Sequence, residues 1–342
     1  MPTHISFRSH AVNIIILLAH KGWGPDDLLH VLGRASHPLI HEAAPFIPAH
    51  VRSVTLRKAW LRVGPPQTPE VTVKDLRRIH KILPTLGSLD DADLLTATCS
   101  DPANFNLTDE QQRARQRVEK LLRKAESTNF SDEADSLVAK AQKLRQRYRI
   151  AEACAPENLR VISRRVYIHS PWVRQQYHLL GCVAYFNGVA SLLLSKHGVA
   201  TLFGAPSDVE HVVDLYASLN RQCAYFLKRS PGTEAARARG ETAAYRRSFW
   251  LAYANRIAEL LDSATDALGD EAAASDAADA LPILRSRYDR ALDTLQETFP
   301  NMQAMHLTAS HAEGFADGET AASSSHLSGD GAGLGGRRAI AQ

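Results

Sequence analysis

Basic side chains recur at helical spacing between residues 113 and 150, where eleven lysines and arginines stand against five acids. This gives the stretch a net charge of +6, whereas the whole 342-residue chain carries only +3. Bases one helical turn apart can contact successive phosphates of a nucleic acid and release its counterions. The candidate nucleic-acid-binding residues are Arg113, Arg117, Lys120, Arg123, Lys124, Lys140, Lys143 and Arg147. We expect contacts with phosphates rather than with bases, because Phe130 and Tyr148 are the only aromatic side chains of the stretch.

The same basic stripes have a second interpretation. Lysine and arginine are common on the solvated faces of amphipathic helices, and near helix C-termini they interact favourably with the helix dipole. The sequence leaves both a phosphate-binding surface and a solvated surface open.

Other residues that could do chemistry lack the neighbouring residues that a cofactor, catalytic or metal site requires. The run 331–336 matches G-x-G-x-x-G, but its surroundings are rich in serine and glycine rather than in the strand that a dinucleotide site needs. None of the fifteen histidines has a visible catalytic partner, and the four cysteines lack zinc-site spacing. Asp262, Asp266 and Asp270 share one helical face without further oxygen ligands. We therefore assign no catalytic, cofactor-binding or metal-binding residue and expect no cofactor.

Two helices would position the basic stripes. Thr108 and Gln111 form a capping box, and apolar residues then recur at helical spacing. The segment 128–131 interrupts this pattern, and Ser131 can cap a second helix with its own apolar face. The sequence predicts an antiparallel helical hairpin over residues 107–150.

The first hundred residues are typical of short helices separated by proline. Apolar residues at 14–18 predict one helix that ends at 21–25, and Asp26 and Asp27 open a second that ends at Gly33. Two helices joined by a glycine-containing turn suggest a DNA-binding motif. Plain helical packing is the favoured interpretation, because the prolines that follow leave little room for a continuous recognition helix.

The pattern after residue 158 changes to strands and longer helices. The predicted elements are a strand at 159–168, a helix at 172–186, a strand pair at 189–196 and 199–203, and helices that begin at Pro206 and cover 241–268. The order β-α-β-β-α is the beginning of a split βαβ sandwich, which many unrelated proteins share. The predicted fold class is therefore α+β and mostly helical, with a helical N-terminal region, the hairpin, and a small sheet with long helices.

The predicted organisation has four parts. They are a helical N-terminal region at 1–106, the hairpin at 107–153, an α+β domain at 154–322 and a flexible glycine- and serine-rich tail at 323–342. The apolar runs are too short for a signal-peptide core or a membrane span. We therefore expect a cytoplasmic protein that does not contact a membrane.

The hairpin resembles domain of unknown function 2786. The residues that follow its pattern, K-L-L-x-x-A-E-S-T, E-A, A-x-A-Q-x-L and Y-x-I, are Lys120–Thr128, Glu133–Ala134, Ala139–Leu144 and Tyr148–Ile150. The segment from Trp172, with Phe203 and Gly204 before Asp208, is similar to the companion domain of unknown function 7168, and 22–28 is similar to the opening of actinobacterial members. The family occurs in bacteria and their phages without assigned catalytic residues. The resemblance therefore implies fold and boundaries rather than an activity.

Three functions are compatible with these patterns. The first is a non-enzymatic protein, associated with nucleic acid or a mobile element, that uses the basic hairpin. The second is a protein-interaction module in which the apolar face of the hairpin and Trp172 dock a partner. The third is an enzyme with its site in the α+β domain. Steep salt dependence of binding favours the first, salt-insensitive protein binding the second, and a deep cleft with perturbed acids or histidines the third.

Overall fold

The fold is described from a computed structural model. The residues it describes are 4–67, 70–95, 160–273 and 280–325, with side chains over the same ranges except at 4–6, 195 and 264–286. This part of the chain contains eleven α-helices and one three-stranded antiparallel sheet, which confirms the mostly helical α+β class. None of the helices within it is long and apolar enough to cross a membrane. The predicted hairpin and nearly all of the predicted tail lie outside the described residues.

Five α-helices form the N-terminal region. They are α1 (His4–His20), α2 (Pro25–Leu32), α3 (His37–Ala43), α4 (Val54–Leu61) and α5 (Val73–Ile82). Turns of 3-10 helix lie at Arg34–Ser36, Ala44–Phe46, Pro48–His50 and Leu83–Thr85. The prolines restrict the stretch after α2 to short elements, since a proline inside a helix removes a hydrogen bond. The end of α1 and both ends of α2 lie where the sequence pattern predicts them, whereas α1 begins at His4, ten residues before the apolar run.

Two buried tryptophans hold the N-terminal helices together. Trp23 and Trp60 are each 1% exposed, and their indole N–H groups donate to the carbonyls of Gly87 (2.7 Å) and Trp23 (3.2 Å). A buried indole N–H needs such an acceptor. Gly22, which precedes Trp23, has a φ of +88°. A Cβ added at Gly22 would lie 2.0 Å from the carbonyl oxygen of Leu89. Only glycine fits at this turn.

The sheet has the order β1-β3-β2, and both neighbouring pairs are antiparallel. Its strands are β1 (Ile162–Tyr167), β2 (Ala190–Ser195) and β3 (Val199–Gly204). Because β3 is antiparallel to both neighbours, β1 and β2 run in the same direction with β3 between them. This is the arrangement of the predicted split βαβ unit.

Six helices follow β1. They are α6 (Val173–Phe186), α7 (Pro206–Arg229), α8 (Pro231–Ala238), α9 (Thr242–Ala273), α10 (Ala280–Thr298) and α11 (Ala312–Ser323). The positions of α6, α7 and α9 agree with the sequence prediction. No counterpart of α8, α10 or α11 is predicted from the sequence.

The central strand β3 is buried on both faces and separates two layers of helices. Ala200 and Leu202 face a core shared with α6, α7 and α9. On the opposite face Val199 packs against the N-terminal helices, and Phe203 packs against α10. A strand covered on both sides has little need for alternating polarity, which explains its nearly continuous apolar sequence.

The last helix, α11, packs closely along α9 through two glycines one turn apart. A Cβ added at Gly314 would lie 2.6 Å from the carbonyl oxygen of Tyr245, and one added at Gly318 would lie 2.3 Å from that of Phe249. The Tyr245 hydroxyl also donates to Asp317 (2.6 Å). The small residues therefore allow the two helix backbones to approach, and the hydrogen bond fixes the register of the pair.

The residues on either side of the undescribed segment 96–159 are paired with each other. Leu95 forms a parallel bridge with Ser163 of β1, and the Ser163 amide donates to the Leu94 carbonyl (2.8 Å). The Thr55 hydroxyl holds the same turn by donating to the Leu95 carbonyl (2.8 Å). The residues that precede the segment and the strand that follows it therefore lie side by side at β1.

Candidate phosphate-binding face

The helix α5 is fixed by its cap and by one apolar face. The Thr72 hydroxyl accepts from the Asp75 amide (3.1 Å) and donates to the Asp75 carboxylate (2.7 Å), which satisfies the first turn. Leu76 and Ile79 are buried against the N-terminal core. Because 3.6 residues make one turn, the opposite side of this short helix faces solvent.

Four bases occupy the solvent side of α5, and we call them the basic face. Their spacing of i, i+3, i+4 and i+7 places them on one stripe. With Val73 they line a shallow groove of about 450 Å³, and they are Lys74, Arg77, Arg78 and Lys81. All four are exposed. At a rise of about 1.5 Å per residue, the stripe extends over about 10.5 Å.

Three of these bases have no compensating acid among the described residues. The Arg78 guanidinium donates to the Leu32 carbonyl at the end of α2, so this side chain is held in place. Lys74, Arg77 and Lys81 form no ion pair within the described part of the chain. Their positive charge is available to a solvent-borne anion, and phosphate is the anion that such stripes suit best.

Aromatic side chains border the basic face, and we call Phe7, His10 and His80 the ring cluster. His80 lies one turn after Arg77 on α5 and contacts Phe7 edge-on, with ring centroids 5.2 Å apart. His10 stacks nearly parallel to His80 at 5.4 Å. The Phe7 carbonyl lies 2.8 Å from Nε2 of His80 and can only accept, so Nε2 carries the proton. Phe7 is 42% exposed.

A second group of charged residues lies buried between the N-terminal helices and the sheet. The Arg165 guanidinium of β1 donates to the carboxylates of Asp27 and Asp91. Tyr167 donates to Asp27 (2.8 Å), and Thr201 donates to Asp91 (3.0 Å). The side chains of the arginine and the two aspartates are between 0 and 4% exposed.

The electrostatics of this group follow from one cation facing two carboxylates. Burial raises the pKa of Asp27 although Arg165 acts in the opposite direction. Burial also disfavours the charged guanidinium, but Asp27 and Asp91 outweigh it and raise the pKa of Arg165. Burial and the neighbouring Asp27 raise the pKa of Tyr167. Because these side chains are shielded from solvent, the arrangement anchors β1 to α2 and to the turn at Asp91 rather than forming a substrate site.

Histidines beside this group pack against neighbouring rings. His30 stacks on Tyr167 at 5.1 Å and meets His169 edge-on at 4.9 Å. Burial, followed by the neighbouring His169, lowers the pKa of His30, which keeps this imidazole neutral near pH 7. In the described part of the chain, no group of three or more histidine, cysteine or acidic side chains could hold a metal ion.

One cysteine lies near a histidine and an asparagine, as in some hydrolases. Nε2 of His178 lies 2.9 Å from Oδ1 of Asn255 and 3.9 Å from Sγ of Cys182. Burial raises the pKa of Cys182 to about 11, so the thiol remains protonated. A protonated thiol is a poor nucleophile, and this geometry does not favour covalent catalysis.

The residues singled out from the sequence fall mostly outside the described part. All eight candidate nucleic-acid-binding residues, Arg113, Arg117, Lys120, Arg123, Lys124, Lys140, Lys143 and Arg147, lie there, as does the glycine run 331–336. Trp172 is described, and it is partly buried against the core with the Arg247 guanidinium 6.0 Å from its ring centre. It therefore offers a docking partner only part of its surface.

The basic face is not among the sites predicted from the sequence, although the spacing of its bases is visible there. The spacing K-x-x-R-R-x-x-K over 74–81 is of the kind that singled out the hairpin, and a capping pair at Thr72 and Asp75 precedes it. The buried ion group has no such signal, because Asp27, Asp91 and Arg165 come from distant parts of the chain.

The comparison with protein families gives one match. A family described as a protein of unknown function (DUF2786) matches residues 113–152, the region of the predicted hairpin. The search of curated proteins finds no match, and no solved structure matches. The chain is thus similar to this family over the hairpin region.

Proposed function

We propose that this protein associates with nucleic acid through contacts to phosphates. The observation that carries the proposal is the basic face, three of whose four bases have no acid partner among the described residues. Phosphate contacts of this kind depend on charge rather than on sequence, and each one releases counterion. Binding should therefore be weakly sequence-dependent and should weaken steeply with salt.

The predicted hairpin would supply a second basic surface. Its eight candidate bases form two stripes, and its region matches the DUF2786 family. In this proposal the N-terminal helices carry the basic face, the hairpin follows them in the chain, and the α+β part after the hairpin is of the companion domain 7168 type. An origin in a phage or mobile element, and an actinobacterial source, fit the family resemblance and belong to the same proposal.

The test is the salt dependence of binding for a variant without the free charges of the basic face. Lys74→Gln, Arg77→Gln and Lys81→Gln together remove up to three phosphate contacts, so the log–log salt slope on a single strand should shrink by up to about 2.1. Arg78 stays unchanged because it caps α2. Fluorescence anisotropy with a labelled oligonucleotide gives the slope.

A matched control removes three exposed bases that lie outside the basic face. Arg221, Lys228 and Arg237 lie on α7 and α8 and are exposed, so changing all three to glutamine alters the net charge equally. The control variant should retain the wild-type slope. Equal slopes for wild type and the basic-face variant, or no binding at low salt, would contradict the proposal.

The hairpin is tested separately on duplex DNA. Arg117, Lys120, Lys124 and Lys143 are replaced together by glutamine. The loss of up to four phosphate contacts should reduce the slope on duplex by up to about 3.6. An unchanged duplex slope would restrict the function to the basic face.

A protein-interaction role is the second candidate, and one observation favours it. Phe46 in the 3-10 turn Ala44–Phe46, together with Val54 and Leu61 of α4, is between 62 and 68% exposed. Contiguous exposed apolar side chains are typical of docking surfaces. This function would be favoured over nucleic-acid association if the protein binds another protein in a salt-insensitive way and Leu61→Ser abolishes that binding.

A further inference from the structure

We propose that the basic face and the ring cluster together form a binding site for single-stranded nucleic acid, an inference that rests on the proposed function. Phosphates would lie along Lys74, Arg77 and Lys81, while an unpaired base would stack on the exposed ring of Phe7. This names the form of nucleic acid, which charge alone does not specify.

Positive charges and aromatic rings lie next to each other on this surface. His80 projects from α5 one turn after Arg77, so the ring cluster begins at the side of the basic stripe. Its contacts with Phe7 and His10 continue the surface onto α1. Proteins that bind single strands combine a positively charged track with aromatic side chains on which successive bases stack. A duplex offers its phosphates to such a surface but keeps its bases stacked on one another.

The rings of this cluster are also held in position. The His80 imidazole donates to the Phe7 carbonyl (2.8 Å) and packs against the Phe7 ring. The two helices that carry the cluster share the N-terminal core through Ile15 of α1 and Ile79 of α5, both fully buried. A ring that is already oriented loses little conformational freedom on binding, which favours stacking.

The test replaces the ring without changing charge. Phe7→Leu should weaken binding to a short oligothymidylate by about tenfold, the effect of losing one stacked base. Its affinity for a duplex of matched length should stay at the wild-type value. His10→Ala, at the other end of the cluster, should also weaken the single-strand complex selectively. Anisotropy titrations of both probes measure these ratios.

The matched control is Phe46→Leu, which removes a phenylalanine that is 62% exposed and lies outside the ring cluster. This variant should bind both probes like wild type. Circular dichroism of all variants checks that they are folded.

The outcomes separate this inference from the proposed function. If neither the single strand nor the duplex binds at low salt, both the proposed function and this inference are contradicted. If the basic-face variant loses affinity while Phe7→Leu and His10→Ala match the control on the single strand, the ring cluster has no part in binding and only this inference is overturned. Equal weakening of single-strand and duplex binding in Phe7→Leu would overturn it as well, because only an unpaired base can stack on that ring.

Discussion

At the scale of single residues, Arg165 is the buried cation on which the anchoring of β1 to α2 and to the turn at Asp91 depends. Its guanidinium faces two carboxylates that are shielded from water and that also accept hydrogen bonds from Tyr167, Thr201 and the Gly24 amide. Removal of the cation would leave Asp27 and Asp91 buried without a counter-charge. Breaking a buried ion pair on one side is costly for this reason, whereas replacing a whole pair often is not.

Arg165→Met should therefore lower the free energy of unfolding by about 3–5 kcal/mol. Methionine fills a similar volume, so the loss reports charge rather than a cavity. Urea unfolding followed by circular dichroism gives the difference.

Arg239 provides the comparison for this prediction. It also bridges two carboxylates, those of Glu241 and Glu313, but its side chain is 47% exposed. Surface pairs of this type contribute little because water and salt screen them. Arg239→Met should leave the urea midpoint close to wild type, and an equal loss for both variants would show that burial is not the cause.

At the scale of secondary-structure elements, the pairing of α9 with α11 depends on glycine. In a solvated helix, glycine is less stable than alanine by about 0.5–1 kcal/mol. Here the ranking should reverse at Gly318, because the added Cβ would lie 2.3 Å from the Phe249 carbonyl oxygen. Only a shift of one backbone relative to the other can relieve that contact.

Gly318→Ala should accordingly destabilise the protein by about 1–3 kcal/mol, the usual range for overpacking. Thermal unfolding measured by differential scanning calorimetry provides the value. Gly64→Ala serves as control, since an added Cβ there meets nothing within 4 Å. A gain of stability in Gly318→Ala would mean that α11 does not pack on α9 as described.

The elements differ in how far the sequence predicts them. The strand β3 and the start of α7 at Pro206 are predictable, because apolar β-branched residues and a helix-starting proline lie next to each other. The helix α11 is not, since Gly314 and Gly318 lower its intrinsic helix propensity and only packing against α9 compensates. The periodicity of a sequence indicates local helix propensity and does not reveal which other helix packs against the segment.

The candidate site shows the same division. The bases of α5 form a spacing that is visible in one helix, so the basic face was predictable in principle. The ring cluster beside it could not be predicted, because Phe7 and His80 are 73 residues apart in the chain. They meet only through the packing of α1 on α5. Long-range contacts of this kind leave no pattern in a single sequence.

At the scale of the whole molecule, the described parts on either side of segment 96–159 share a core. Leu95 pairs with Ser163, and the ion group joins Asp27 and Asp91 to β1. A parallel pairing needs a connection of about a dozen residues to return to the start of the second strand. The segment contains many more than this requires.

Replacing residues 97–159 with a glycine–serine linker of about twelve residues should therefore leave the rest of the fold intact. Near-UV circular dichroism should keep the signal of the buried tryptophans, and urea unfolding should remain a single transition. A variant that lacks fixed tryptophan signals would show that the segment is needed for the body to fold.

The pairing of Leu95 with Ser163 also has a consequence for the rate of folding. The two residues enclose 67 others, and closing so long a loop is opposed by chain entropy before any contact forms. With the linker in place the loop contains about sixteen residues, which lowers the entropic cost by about 1.3 kcal/mol. The shortened chain should refold faster than the natural one. The pairing of Leu95 with Ser163 thus makes the rate of folding depend on the length of the segment that separates them.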